Sequence, residues 1–237
     1  VIALSIISSL QKGRKKMPNW CYNHLDITGG DVSAVKAQLN TAFEVEHDSF
    51  NMETRQMERK LFKYSNPVFA FWNIIKPTNL EAYHGPQPEI DLSKGISFET
   101  DHWYDWNIRN WGTKWDVANR DDEKFHETGL TDEGEAFLGY RFNTAWSPPT
   151  EAIAKLSEQY PDLVFTLSFE EETGWGGEIV FEGGNGIETE SYGWKCRDCE
   201  HTEEDTPYCE ECEFDTCPEC GYNESDEPCN EHLDGKQ

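Results

Sequence analysis

The sequence predicts an α+β fold, a ferredoxin-like sandwich with a large insertion, plus a small C-terminal zinc-binding module. Three observations predict it. Strand-like alternation gives way to helical spacing between residues 20 and 43, and the same succession returns over 137–160, followed by a hairpin. Seven of the eight cysteines are gathered near the C-terminal end, six in close pairs and Cys229 paired with His232. The order strand, helix, long middle section, strand, helix, strand, strand suits an antiparallel or mixed sheet with helices on one face. A chain of 237 residues buries one sizeable core and still carries a satellite module.

Trp20 to Thr28 alternates, with Cys21, Leu25 and Ile27 on one face and Tyr22, His24, Asp26 and Thr28 on the other, the pattern of a half-buried strand. Gly29-Gly30 turns the chain, and Asp31 is placed to cap a helix on which Val32, Val35, Leu39 and Phe43 recur at helical spacing. Glu44 to Lys60 is polar with little apolar patterning and reads as a helix extension or a solvated insertion. Apolar residues return from Leu61 to Ile75, with one strand expected before Pro77, and Pro77, Gly85, Pro86 and Pro88 mark a long stiff loop. Phe137 to Trp146 is strand-like, and Ser147-Pro148-Pro149 opens a helix with Ile153, Leu156 and Tyr160 inward and Pro161 at its end. Leu163, Phe165, Leu167 and Phe169 alternate, and after a turn a second strand runs from Glu178 to Phe181. Gly174 to Gly177 reads as the hairpin turn, and Gly183-Gly184-Asn185-Gly186 as a hinge to the tail.

Residues 1–16 are expected to be an upstream extension foreign to the fold, with Met17 as the start. An apolar stretch precedes Lys12, Arg14, Lys15 and Lys16, the reverse of a secretory signal. The partition is then 1–16 as extension, 17–186 as the α+β domain and 187–237 as an acidic, zinc-ribbon-like tail. No segment is apolar for long enough to span a bilayer.

The formal charge of −26 argues against a surface that tracks a phosphate backbone, which needs clustered Lys and Arg. Direct nucleic-acid binding is therefore not expected, and a partner with a basic surface is. The tail reads Cys196-x2-Cys199, Cys209-x2-Cys212, Cys217-x2-Cys220 and Cys229-x2-His232. A two-residue spacer lets both members of a pair reach one ion, and eight ligands complete two tetrahedral structural zinc sites with no position left for substrate. Two pairings stay open, sequential ribbons and an interleaved cross-brace. Paired cysteines of this kind fit a reducing cytoplasm better than a disulfide framework.

In the middle of the chain, His102 to Asp116 mixes rings with ionisable groups, and Trp106, Arg109, Trp111, Lys114 and Trp115 form a candidate binding surface able to stack a nucleobase. The same residues also suit core packing. Cys21, alone on an apolar strand face, reads as a small core residue. There is no Walker loop, G-x-S-x-G elbow or H-E-x-x-H helix, so no enzyme is expected.

Three motifs, Met17-Pro18-Asn19-Trp20-Cys21-Tyr22-Asn23, Asn110-Trp111-Gly112-Thr113-Lys114-Trp115 and Asn143-Thr144-Ala145-Trp146-Ser147-Pro148-Pro149, resemble those of the YubB-type ferredoxin-like proteins of phages and conjugative plasmids. The resemblance covers residues 17 to 183 and implies a bacterial, mobile-element setting without catalytic residues. The resulting expectation is a phage or plasmid accessory protein that binds a host or defence-system protein, with its acidic surface in the role of a nucleic-acid mimic. The alternatives are a nucleotide or small-molecule module built on the Trp106 to Trp115 stretch and a structural assembly factor.

Overall fold

The computed structural model describes residues 19–85, 100–195 and 202–203. Its main sheet has six strands: β1 (Trp20–Thr28), β4 (Gly129–Gly134), β5 (Phe137–Ala145), β6 (Val164–Glu171), β7 (Gly176–Glu182) and β8 (Asn185–Tyr192). They lie in the order β4-β5-β1-β6-β7-β8, every neighbour antiparallel. Because β5 and β6 flank β1 and both oppose it, they run parallel to each other, joined through helix α4 (Thr150–Gln159). This is a split β-α-β unit, the core of a ferredoxin-like arrangement.

The alternation read from the sequence sets the core. Cys21, Leu25 and Ile27 of β1, Leu138, Tyr140 and Phe142 of β5, and Phe165 and Leu167 of β6 are fully buried on one face. Helix α1 (Ser33–Leu39) contributes Val35 and Leu39, and α4 contributes Ala152, Ile153 and Leu156. Asn23 is buried in the same row, where its amide nitrogen donates to Cys21 O at 2.8 Å and Thr144 Oγ1 at 2.9 Å. The opposite sheet face carries Tyr22, His24, Arg141, Asn143, Ser168 and Glu170, all at least partly exposed.

Three expectations need correction. Phe43 is no helix residue: α1 ends at Leu39, and Phe43 opens β2 (Phe43–Asn51), which pairs in antiparallel register with β3 (Gln56–Tyr64). The polar run Glu44 to Lys60 is thus most of a hairpin rather than a helix extension, and it is a solvated insertion only in that most of its described side chains are exposed. Its period is hidden because, among the hairpin side chains the structure describes, only Val45, Phe62 and Tyr64, at the end of the ladder away from the turn, are buried. The far end is turned by Asn51, whose Oδ1 accepts from Glu53 N and Thr54 N. Finally, Gly183-Gly184 is a hairpin turn with φ of 55° and 87°, and the expected hinge continues as β8 on the edge of the main sheet. The stiff loop after Pro77 contains a short helix, α2 (Leu80–Tyr83), capped by Asn79. Asp31 accepts from Ser33 N at 2.9 Å, one residue ahead of the N-cap position of α1.

Candidate functional site

Helix α3 (Trp103–Trp111) ends where the most distinctive motif begins. Gly112 takes a left-handed φ of 80°, and a Cβ there would meet the Glu151 carboxylate, Pro148 O and Thr150 N, so the chain can close against the start of α4 only with glycine. Two hydroxyls fasten the junction: Ser147 Oγ donates to Gly112 O at 2.6 Å and Thr113 Oγ1 donates to Ala145 O at 3.0 Å. The second and third sequence motifs therefore interlock, and their polar residues hold backbone.

The candidate surface residues part company here. Trp106 is buried, edge-on to Trp111 and Tyr83, and belongs to the core. Trp111 is buried and its indole N–H donates to Ile75 O at 3.0 Å. Arg109 pairs with Asp101 at 3.0 Å and donates to Thr100 O at 3.1 Å. Lys114 lies over the rings of Trp115 and Trp146, 4.5 and 4.7 Å from their centres. Burial lowers its ammonium pKa. Trp146 carries a left-handed φ of 73°, uncommon for so large a residue.

Trp111 and Trp115 nevertheless share a cavity of about 610 Å³ that the sequence did not disclose. It lies among hairpin β2-β3, α2, α3 and residues 115–126. Rings form most of its wall, among them Phe43, Phe62, Tyr64, Trp72, Tyr83 and Trp103. The polar groups behind the wall are committed to backbone. Asp116 accepts from the N–H groups of Phe71, Trp72, Val117 and Ala118 at 2.7 to 3.1 Å; burial pushes its carboxyl up, and those four donors oppose the shift. Asn107 accepts from Tyr83 Oη and donates to Lys114 O. Asn119 accepts from the N–H groups of Phe125 and His126 and donates to His126 O. Four histidines, His47, His84, His102 and His126, line the same space. Burial lowers the pKa of His102 and takes that of His126 down to about 4, so both imidazoles are neutral near pH 7. The missed signal was the scatter of histidines 47, 84, 102 and 126 around an unrecognised hairpin.

Cys21 is fully buried and its thiol is pushed up to about 12 by burial, which leaves no thiolate at neutral pH. Among the described residues no group of three or more His, Cys, Asp or Glu is placed to hold a metal, and no helix is long and apolar enough to cross a membrane. The predicted zinc ligands Cys196, Cys199, Cys209, Cys212, Cys217, Cys220, Cys229 and His232 lie outside the described residues.

A family model described as the ferredoxin-like domain in Api92-like protein matches residues 111–213. The match takes in β4, β5, α4, β6, β7 and β8 and agrees with the ferredoxin-like, α+β part of the fold expected from the sequence. A crystal structure of the protein api92 from Yersinia pseudotuberculosis is similar at 12% identity and a TM-score of 0.41, over 76% of this chain and 100% of that one. No curated protein matches.

Proposed function

We propose that the protein is a non-enzymatic accessory module of the bacterial cytoplasm that binds a small, flat molecule in the aromatic cavity. The observation that carries this reading is the cavity itself. Its 610 Å³ falls in the range of small-molecule sites, its wall is mostly rings, and three of the polar side chains around it, Asn107, Asp116 and Asn119, are already bonded to backbone. Such a wall binds by stacking and exclusion of water. Ligand-observed NMR with a library of planar aromatic fragments tests it. Several fragments should bind the wild type and none the Ser49→Trp variant, in which an indole projects from β2 into the cavity. Equal binding by both proteins would reject the site.

A second reading is favoured by charge. At −26 overall, with Glu178 and Glu190 paired side by side across β7 and β8, the protein suits a basic partner surface, as a phage or plasmid inhibitor of a nucleic-acid-processing protein would. Affinity for such a partner should fall steeply with salt and compete with DNA or RNA; salt-insensitive binding would reject mimicry. In either case the tail's eight ligands supply the donors of two structural zinc ions. Metal analysis of the purified chain should give two per molecule, and clearly fewer would reject that arrangement.

A further inference from the structure

We infer that the cavity selects an uncharged, flat nitrogen heterocycle of nucleobase to nucleoside size and rejects its phosphorylated form, an inference that rests on the cavity being the binding site. Stacking on Trp103, Trp111 and Trp115 accepts any flat ring, so the wall alone gives no preference. The preference comes from polar atoms and from charge.

His102 and His126 each hold Nδ1 buried with no hydrogen-bond partner among the described residues. An unpaired buried polar atom is costly, and native structures keep few of them. A half-turn of either ring about its Cβ–Cγ bond exchanges Nδ1 with a carbon and presents it on the other side. A neutral imidazole offers one donor and one acceptor, so these two rings match the mixed ring nitrogens, amines and carbonyls along a heterocycle's edge. A hydrocarbon of the same shape leaves both nitrogens unpaired.

Charge excludes the phosphate. The lining carries Asp116 and Glu123 against Arg120. That guanidinium lies 4.3 Å from the centre of the Phe62 ring and pairs with Asp122 and Glu123. The backbone N–H groups of Phe71, Trp72, Val117 and Ala118, which would otherwise make an anion nest, are already taken by Asp116. Lys114 stands outside the lining, over Trp115 and Trp146. A phosphate would meet two carboxylates in a protein of charge −26.

Isothermal titration of the full chain with the four ribonucleosides, their 5′-monophosphates and naphthalene tests the selection. At least one nucleoside should bind at least tenfold tighter than its monophosphate and than naphthalene. His126→Phe, which keeps an aromatic ring there but removes both nitrogens, should shrink the gap between that nucleoside and naphthalene, with a thermal melt at pH 7 to check that the variant is folded. A monophosphate that binds as tightly as its nucleoside would overturn the inference. Naphthalene binding alone would also overturn it while leaving the cavity as the site, and silence from every probe would reject the cavity as well.

Discussion

The two halves of this molecule bury their rings differently. In the split β-α-β half, period-two alternation delivers Leu25, Ile27, Leu138, Phe165 and Leu167 to one plane, where α1 and α4 close over them. In the lobe of β2-β3, α2, α3 and residues 115–126, the wall is built from larger, flatter side chains held by Asp116, Asn107 and Asn119. The lobe encloses the ring-walled cavity, while the aliphatic side chains of the sheet half pack beneath its helices. One half stores stability in close packing, and the other gives up some packing for an accessible hydrophobic space.

The contrast is sharpest in the sheet core. Phe142 stacks on Phe69 at 4.9 Å between ring centres and is fully buried, so Phe142→Ala should cost about 3–5 kcal/mol in denaturant unfolding. In the lobe the comparable loss comes from a polar anchor. Asp116→Ala strands four backbone N–H groups and should cost about 3 kcal/mol, with the Trp72 and Trp111 environments disturbed in near-ultraviolet dichroism. A loss below 1 kcal/mol would mean that those donors are satisfied elsewhere.

Acid should weaken the lobe through His126. Burial holds its folded pKa near 4, below the ordinary 6.5, so as pH falls the unfolded chain takes up the proton first. This contribution is fully present above about pH 6.5 and is lost as pH falls toward 4. Relative to His126→Phe, the wild type should lose up to about 3 kcal/mol over that window. Parallel pH profiles for the two proteins would contradict the buried, neutral imidazole. The smallest effect on stability is expected at Trp115, a partly exposed ring at the cavity, where Trp115→Ala should cost about 1 kcal/mol and weaken a bound ligand at least tenfold.

Much of the sheet was legible in the sequence because alternation and helical spacing are one-dimensional records of one buried face. The boundaries of β1 and β5, the helix after Ser147-Pro148-Pro149 and the β6-β7 hairpin all follow from them. The β2-β3 hairpin was not legible, since the described side chains that it buries, Val45, Phe62 and Tyr64, lie away from the turn and Glu44 to Lys60 looks solvated throughout. The edge strand β8 was hidden for a related reason: Gly183-Gly184 serves a tight turn as readily as a hinge, and its side chains are almost all exposed. The candidate site was half legible. Trp111 and Trp115 line the cavity, but Trp106, Arg109 and Lys114 do not, because composition cannot tell which side of α3 and its following turn faces inward. The histidines come from four separate segments that only the tertiary fold brings around one space.

The most direct test uses the nine tryptophans as reporters. Assigned indole N–H signals should be followed by NMR during titration with a nucleoside that binds. With the ligand in the cavity, the signals of Trp72, Trp103, Trp111 and Trp115 should move together while Trp175, packed against Phe169 in the sheet half, stays still. Shifts confined to Trp175, with the four cavity indoles unmoved, would contradict it.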